Sequence, residues 1–239
     1  MWIKGEIMKT IGLIGGMSWE SSLEYYRIIN EGIKTQLGGL HSAKCILFSV
    51  DFAEVEILQR DGNWAQAGRM MANAARSLQA GGADCVFLCT NTMHISTEEI
   101  EAAIQVPFIH IADATARVVK AAGITKIGLL GTRFTMEKEF YKGRLEEKFG
   151  LQVIIPEEKD REIIHRVIYD ELVLGAIRSE SRQQYTRIIE KMAGQGAQGI
   201  ILGCTEIGLL VHQEDSPVPL FDTTRIHAEA AVQFALGKE

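Results

Sequence analysis

Short apolar runs alternate with longer amphipathic segments along the chain. The runs are rich in Val, Ile, Leu and Phe, and the segments between them repeat apolar residues at helical spacing. This alternation is typical of βαβ units, in which a parallel sheet is covered by helices on both faces. We therefore predict an α/β fold with eight strands, at residues 9–14, 44–50, 83–89, 108–111, 126–130, 151–154, 199–203 and 219–221.

Glycines mark the ends of two predicted helices. Residues 18–36 and 64–80 have helical spacing and are followed by glycine pairs at 38–39 and 81–82. Glycine is favoured there because a helix C-terminus often needs a left-handed backbone.

Polar residues mark three further helix starts. Ser96 with Glu99, and Ser181 with Gln184, have the spacing of capping boxes. The charged stretch 157–162 is interpreted as a solvated helix start.

An internal repeat divides the chain into two similar halves. Three segments recur in the same order at nearly one offset: 11–15 as 127–131, 82–88 as 196–202, and 106–108 as 218–220. We predict halves of about 8–115 and 116–239, each an open parallel sheet. Two such halves are expected to face each other across a cleft.

The repeat singles out the residues that follow its strands, because ligands of open α/β sheets lie outside the carboxyl ends of the strands. Gly15 and Gly131 each end a repeated strand and precede a helix N-terminus that can bind an anion. At the next repeated strand, an offset of 114 places Thr90 on Cys204. A hydroxyl in one half thus corresponds to a thiol in the other.

This pairing suggests proton exchange at carbon. Two groups that approach a planar carbon from opposite sides, as acid and base, have the geometry of a racemase. The thiol of Cys204 suits the role because a helix N-terminus can lower a cysteine pKa from about 8.5. The Thr90 hydroxyl ionises far less readily, so it would return or relay a proton, and would need a partner such as His94 to act as a base.

The cysteines also have structural interpretations. Cys204 is either a small core residue or an acid–base group. Cys85 and Cys89 face one side of a predicted strand and could join His94 in a metal site, but no fourth ligand has suitable spacing, so no metal is expected. Cys89 neighbours Thr90, and strand alternation sends it to the other face, which favours a packing role.

Other motifs are weaker. The spacing of Gly12, Gly15 and Gly16 falls short of the dinucleotide fingerprint, and no Lys completes a phosphate-binding loop, so no nucleotide cofactor is predicted. Asp51, after the second strand, either reaches the cleft or caps the next helix. His94 either supports the site or only starts a helix.

Composition and charge exclude several function classes. The 239 residues carry 25 Lys and Arg against 31 Asp and Glu, a net charge of −6 without a basic run, which argues against a nucleic-acid partner. No apolar run approaches the roughly 18 to 20 residues of a membrane span. Four scattered cysteines without an export signal predict free thiols and a cytoplasmic location. Residues 1–7 are interpreted as an N-terminal extension outside the fold, either an upstream start or a cloning remnant.

Two motifs identify a family resemblance. Cys-Thr-Asn-Thr-Met-His at 89–94 and Gly-Cys-Thr-Glu at 203–206, with the glycine loop at 12–16, resemble the cofactor-independent aspartate/glutamate racemases. The resemblance implies two α/β domains related by pseudo-two-fold symmetry with the active site between them, no pyridoxal phosphate, no metal and a homodimer. It places the domains at 8–113 plus 222–239 and at 114–221.

The chain departs from the family pattern at one position. The family has cysteine before both motifs, whereas here Thr90 stands at the first position and Cys89 comes one residue early. This departure most resembles the branch specific for L-aspartate and L-glutamate. The family's second cysteine takes the α-proton of the L-enantiomer, which implies that Cys204 is the base and that L-substrates are favoured.

The resemblance also implies substrate contacts. Residues following the strands are expected to hold the α-carboxylate, the ammonium group or other parts of an acidic amino acid: Asn91, Thr92, Thr132, Thr135, Thr205 and Glu206. Ser18, Gln59 or Arg60 is expected to meet the side-chain carboxylate, with Asp51 and His94 as supporting residues.

Two alternatives to an acidic amino-acid racemase remain. A related enzyme, such as a hydantoin racemase or a decarboxylase of malonate-like acids, would also need only one strong thiol. From another class, the protein could bind an acidic amino acid without chemistry, silenced by the threonine at position 90.

Overall fold

The chain divides into two compact units. The computed structural model describes residues 8–238. Within them, the first unit extends to Ile111 and resumes at His227, and the second runs from Ala112 to Ile226. These limits differ from the domain limits expected from the family by two residues near 112 and by five near 224. The extension expected at residues 1–7 lies outside the described residues.

The first unit is built on one parallel sheet. Its strands pair in the order β2-β1-β3-β4, and every pair is parallel. The strands are β1 (Ile11–Gly15), β2 (Cys45–Ser49), β3 (Cys85–Leu88) and β4 (Phe108–Ile109). The helices are α1 (Trp19–Leu37), α2 (Phe52–Arg60), α3 (Trp64–Ala80) and α4 (Thr97–Ala103), with a 3₁₀ turn at Thr92–Ser96.

The second unit repeats this topology. Its order, β6-β5-β7-β8, is the first order with four added to each strand number, and its pairs are again parallel. The strands are β5 (Lys126–Gly131), β6 (Gln152–Ile154), β7 (Ile200–Gly203) and β8 (Leu220–Asp222). The helices are α6 (Arg133–Glu137), α7 (Lys142–Phe149), α8 (Glu158–Asp170), α9 (Ser179–Gly194) and α10 (Ile207–Leu210), with 3₁₀ turns at Leu172–Leu174 and Gln213–Asp215.

Two further helices, α5 (Ile111–Ala121) and α11 (Thr223–Ala235), begin near the unit boundaries. Each predicted strand overlaps a strand of the structure, and the two predicted parallel sheets are confirmed. The pseudo-two-fold relation remains a prediction. Of the helices in residues 8–238, none is both long and apolar enough to cross a membrane.

Both faces of the first sheet are buried at its central strands β1 and β3, as their continuous apolar runs predict, whereas the edge strand β2 is partly exposed. Along β3, Cys85 and Phe87 lie in a core cluster with α1 and α11, whereas Val86 and Leu88 lie in a second cluster with α3. Cys89 belongs to the first cluster, on the same side as Cys85. The predicted packing role of Cys89 is therefore confirmed.

Helices begin at or near both positions with capping-box spacing, but Ser96 and Ser181 do not cap them. Ser96 precedes α4, but its side chain makes no capping hydrogen bond, because the chain enters α4 from a 3₁₀ turn rather than from an extended residue. Helix α9 begins at Ser179, so Ser181 lies within its first turn and donates its hydroxyl proton to Glu171 (2.6 Å).

The helix predicted near 157–162 is confirmed, since α8 begins at Glu158. The prediction that this stretch is solvated is wrong for Asp160, which is buried and accepts hydrogen bonds from Arg187 (2.8 Å) and Lys191 (3.1 Å). The two cations come from α9, 27 and 31 residues further along the chain. Helical spacing alone could not reveal them.

The glycine loop after β1 allows close backbone approach. Gly16 has a φ of +94°, a conformation that residues with a Cβ rarely adopt. A Cβ at this position would also collide with the carbonyl oxygen of Val50, just after β2. The amide of Val50 donates to the Gly15 carbonyl (3.0 Å), which holds the two strand ends together.

We expect Gly16→Ala to destabilise the protein by about 2–4 kcal/mol, because it combines backbone strain with a steric clash. Gly194→Ala is the matched control: Gly194 is helical and has open space at its Cβ. The control should change the free energy of unfolding by less than about 1 kcal/mol. Urea denaturation measures both, and equal stabilities would contradict the role assigned to Gly16.

Candidate active site

Strand register makes Thr90 and Cys204 structurally equivalent within their own sheets. In the first sheet, Leu88 of β3 pairs with Ile14 of β1, and Thr90 lies two residues further. In the second, Leu202 of β7 pairs with Leu130 of β5, and Cys204 lies two residues further. Both therefore follow the carboxyl end of a central strand, where open α/β sheets bind ligands.

The segment before Thr90 is held by main-chain and hydroxyl contacts. The amide of Cys89 donates to the Ile14 carbonyl (2.9 Å), and the Ser21 hydroxyl donates to the Cys89 carbonyl (3.1 Å). Ser18 caps α1 by accepting the Ser21 amide (3.3 Å). The start of α1, with Ser18, is thus brought next to the segment that carries Thr90, itself 8% exposed.

His94 binds the backbone of Thr90 rather than its hydroxyl. The Ile111 amide donates to Nε2 of His94 (3.2 Å), so this nitrogen acts as the acceptor. Nδ1 then carries the proton and donates to the Thr90 carbonyl (2.8 Å). The expectation that His94 helps Thr90 act as a base is therefore wrong in this structure, because backbone groups occupy both ring nitrogens.

Two other buried histidines, missed in the sequence, surround His94. The ring of His110 lies 4.4 Å from that of His94 between centroids, and the ring of His227 lies 5.9 Å away. His227 donates from Nε2 to the Ile109 carbonyl (2.8 Å) and accepts from the Tyr25 hydroxyl at Nδ1 (2.8 Å). Burial lowers the pKa of His227 to about 4, so this ring is neutral at pH 7.

These histidines brace the strand end that leads into α5. Among residues 8–238, no group of three His, Cys, Asp or Glu side chains is placed to hold a metal ion. Cys85 and Cys89 lie in the apolar core instead. The only signal in the sequence for this cluster was the position of His110 at the end of a predicted strand.

The remaining candidates of the first unit fall into two groups. Asn91, Thr92 and Gln59 are buried, at 3%, 5% and 4% exposure. Asp51 is exposed and caps α2 by accepting the Ala53 amide (3.0 Å), which favours its capping interpretation. Arg60 is also exposed and pairs with Glu56 (3.3 Å), which does not favour the substrate contact suggested for it.

In the second unit, two glycines let the ends of β5 and β7 pack closely. A Cβ on Gly131 would lie 2.8 Å from the Gly203 carbonyl oxygen, and one on Gly203 would lie 2.7 Å from the Leu130 carbonyl oxygen. Thr132 and Thr135 follow directly, and their hydroxyls lie 3.2 Å apart. Thr132 also caps α6 through the Thr135 amide (3.3 Å). The structure therefore brings these two predicted binding residues together.

Cys204 and Glu206 form a hydrogen-bonded pair. The Cys204 thiol donates to Oε2 of Glu206 (3.0 Å), and the Thr205 hydroxyl donates to the same oxygen (2.7 Å). All three residues are buried. Glu206, expected from the sequence to bind substrate, thus contacts the proposed base itself.

The electrostatics of Cys204 overturn the expected lowering of its pKa. Burial raises the pKa of the thiol well above its ordinary value, and the charge and hydrogen bond of Glu206 raise it further. Backbone amides of Glu206 and Thr205 lower it, but by less. The thiol is therefore protonated at rest, and a thiolate can form only when its proton has an acceptor.

The surroundings of Cys204 are otherwise apolar. It packs in a core cluster with Tyr185 and Ile207. The Tyr185 hydroxyl donates to the Ile164 carbonyl (3.1 Å), and burial raises its pKa well above the ordinary value. Burial also raises the pKa of Cys89. Cys204 differs from it because the Glu206 carboxylate accepts a hydrogen bond from its thiol.

These features define an α/β protein with a buried thiol–carboxylate pair at the end of a parallel strand. A model of the Asp/Glu/hydantoin racemase family matches residues 14–231. The chain belongs to this family, whose amino-acid racemases are isomerases.

Individual relatives agree with this assignment. A protein from Yersinia pestis assigned as an Asp/Glu racemase is 59% identical, with a TM-score of 0.90 over 96% of this chain and 100% of its own. PH1733, an aspartate racemase homologue from Pyrococcus horikoshii OT3, is 33% identical, with a TM-score of 0.82 over 95% and 99%. RacX of Bacillus subtilis (strain 168), a broad specificity amino-acid racemase, is 25% identical over 176 residues, 71% of this chain and 72% of RacX.

We expect His94→Phe to lower the free energy of unfolding by about 2–4 kcal/mol, because it leaves a buried carbonyl and a buried amide without their partner. His41→Phe, at an exposed position, is the control and should change stability by less than about 0.5 kcal/mol. Chemical denaturation of both variants tests this. A stability of His94→Phe within error of the control would show that the ring does not brace the backbone.

Proposed function

We propose that the protein is a cofactor-independent racemase of aspartate or glutamate that favours L-substrates. The observation that carries the proposal is the Cys204–Glu206 pair at a strand end equivalent in register to that of Thr90. A hydrogen-bonded thiol at this position has the chemistry required of a carbon base. The relatives from Yersinia pestis and Pyrococcus horikoshii support an amino-acid substrate with an acidic side chain.

In the proposed reaction, Sγ of Cys204 removes the α-proton of the L-enantiomer. The resulting carbanion is planar, and the Thr90 hydroxyl returns a proton to its opposite face. Asn91, Thr92, Thr132 and Thr135 bind the α-carboxylate and ammonium groups. Gln59 and Ser18 meet the side-chain carboxylate.

The preference for L-substrates has a thermodynamic limit. Enantiomers have equal free energy in water, so the equilibrium constant is unity and kcat/KM must be the same in both directions. A preference can therefore appear only in kcat and KM separately, or as exchange of the α-proton without inversion. The unequal acidities of the thiol and the threonine hydroxyl are the reason to expect it.

A decarboxylase of malonate-like acids is the second candidate, since a single thiol with no second cysteine could also protonate one face of a carbanion. Identifying the product distinguishes loss of carbon dioxide from inversion. The homodimer and the cytoplasmic location that the sequence suggested remain predictions.

We expect the protein to exchange the α-proton of L-aspartate or L-glutamate in D₂O without added pyridoxal phosphate. Cys204→Ala should lose this activity by more than the roughly 10²–10⁴-fold expected for an auxiliary acid or base. Cys45→Ala, which removes a half-buried thiol from β2, should keep it. Proton NMR follows the α-signal, and wild-type exchange no faster than that of Cys204→Ala would overturn the proposal.

We expect Thr90→Cys to accelerate exchange of the D-enantiomer by about 10²-fold or more, because a thiol is a far better proton acceptor than a hydroxyl. Thr90→Ser, which keeps a hydroxyl, serves as the control and should exchange D-substrate at nearly the wild-type rate. The same NMR assay measures both. An unchanged D-rate in Thr90→Cys would remove Thr90 from the mechanism.

A further inference from the structure

Glu206 has a position that substrate binding does not explain. Its side chain is 3% exposed, and Oε2 receives both the Cys204 thiol proton and the Thr205 hydroxyl proton. Two donors already use Oε2, so this oxygen is not left for the substrate ammonium group. Here the oxygen is directed at the sulfur of the proposed base.

The proposed base cannot work without a proton acceptor. Cys204 is buried, its thiol is protonated at rest, and only a thiolate can remove an α-proton. Tyr185 packs nearby, but it is a protonated phenol whose hydroxyl donates to a carbonyl, and a neutral phenol is not basic enough to take a thiol proton. Glu206 is an acceptor within hydrogen-bond distance of Sγ and can receive the proton directly.

We propose that Glu206 takes the thiol proton of Cys204 as Sγ takes the α-proton of the substrate. This inference rests on the racemase function proposed above. It gives Glu206 a catalytic role through direct contact with the reacting sulfur, in place of the substrate-binding role expected from the sequence. Thr205 acts as a positioning residue, because its hydroxyl holds Oε2 against Sγ.

The protons balance over one turnover. The S–H bond of Cys204 breaks as an O–H bond forms on Glu206, and the substrate Cα–H bond breaks as a new S–H bond forms. The carbanion then takes the hydroxyl proton of Thr90, which leaves an alkoxide. Water carries the proton from Glu206 back to Thr90, so the starting state is restored with no net change in charge.

Glu206→Gln separates this role from its two rivals. Glutamine has nearly the shape of glutamate but cannot accept a proton, and it lacks the charge that raises the pKa of Cys204. If the charge of Glu206 only suppressed the thiolate, the variant would be faster than wild type at neutral pH. If Glu206 only bound substrate, Glu206→Gln would raise KM and leave kcat unchanged.

We expect Glu206→Gln to lower kcat for α-proton exchange by about 10²–10³-fold with little change in KM. At the same time, alkylation of Cys204 by iodoacetamide should begin at lower pH than in wild type, because the thiol pKa falls. Peptide mass spectrometry measures the alkylation. A slower reaction despite a more easily ionised thiol is the combination that only a lost proton acceptor produces.

Two variants complete the experiment. Glu206→Asp keeps a carboxylate at a longer distance and should recover part of the lost kcat; Glu180→Gln, on the exposed start of α9, should behave as wild type. If Glu206→Gln does not fold, Glu206→Asp decides alone: a kcat lowered about tenfold with KM unchanged supports the proposal, and an unchanged kcat overturns it.

The outcomes distinguish this inference from the proposed function. If wild type exchanges no α-proton, the racemase proposal fails first. If wild type exchanges but Glu206→Gln is equally fast or faster, or changes only KM, the role of Glu206 as proton acceptor is overturned while the racemase proposal stands.

Discussion

The hydrogen bond from the Cys204 thiol to the Glu206 carboxylate is the interaction on which the proposed chemistry of this chain depends. Both groups are buried, and a buried carboxylate needs donors to compensate for lost water. The thiol and the Thr205 hydroxyl supply them. The same bond raises the pKa of the thiol. The base proposed at Cys204 is therefore held in protonated form, beside the carboxylate that can take its proton.

The scaffold explains why this pair lies where it does. Parallel strands β5 and β7 approach closely because Gly131 and Gly203 have no Cβ, and the chain then turns directly into the segment of Cys204. The first unit has the same strand order and the same register, but the segment equivalent to that of Cys204 makes different contacts. There His94, in the turn after β3, contacts backbone groups through both of its ring nitrogens. The same topology thus carries a threonine whose backbone carbonyl is bound by His94 in one unit, and a thiol hydrogen-bonded to a carboxylate in the other.

The sequence predicted the strands well because doubly buried parallel strands leave continuous apolar runs, as in β3 and β7. It also predicted which strand ends correspond, because the repeat preserves register. The sequence did not predict the hydrogen-bond partners of side chains that have several possible partners. The capping pattern at Ser181 could not show that Glu171 would take its hydroxyl proton, and the motif around Glu206 could not show that the carboxylate turns toward sulfur rather than outward. These choices depend on neighbours distant in sequence or on rotamers, and neither leaves a periodic signal.

The two units differ most in how a proton could leave each candidate acid–base group. At Cys204 an acceptor is already in contact, so removal of a proton from substrate needs no prior ionisation in water. At Thr90 the nearby imidazole is committed to the Thr90 carbonyl and the Ile111 amide, so it offers no lone pair to the hydroxyl. Since kcat/KM must be equal for the two enantiomers, this imbalance cannot favour one product at equilibrium. It can only change kcat and KM separately: a substrate whose α-proton must go to Thr90 would stay bound longer before it reacts. In the proposed mechanism, the asymmetry between the thiol and the hydroxyl is thus a kinetic property: Glu206 can accept the thiol proton, whereas the contacts of His94 with backbone groups leave it unable to assist Thr90.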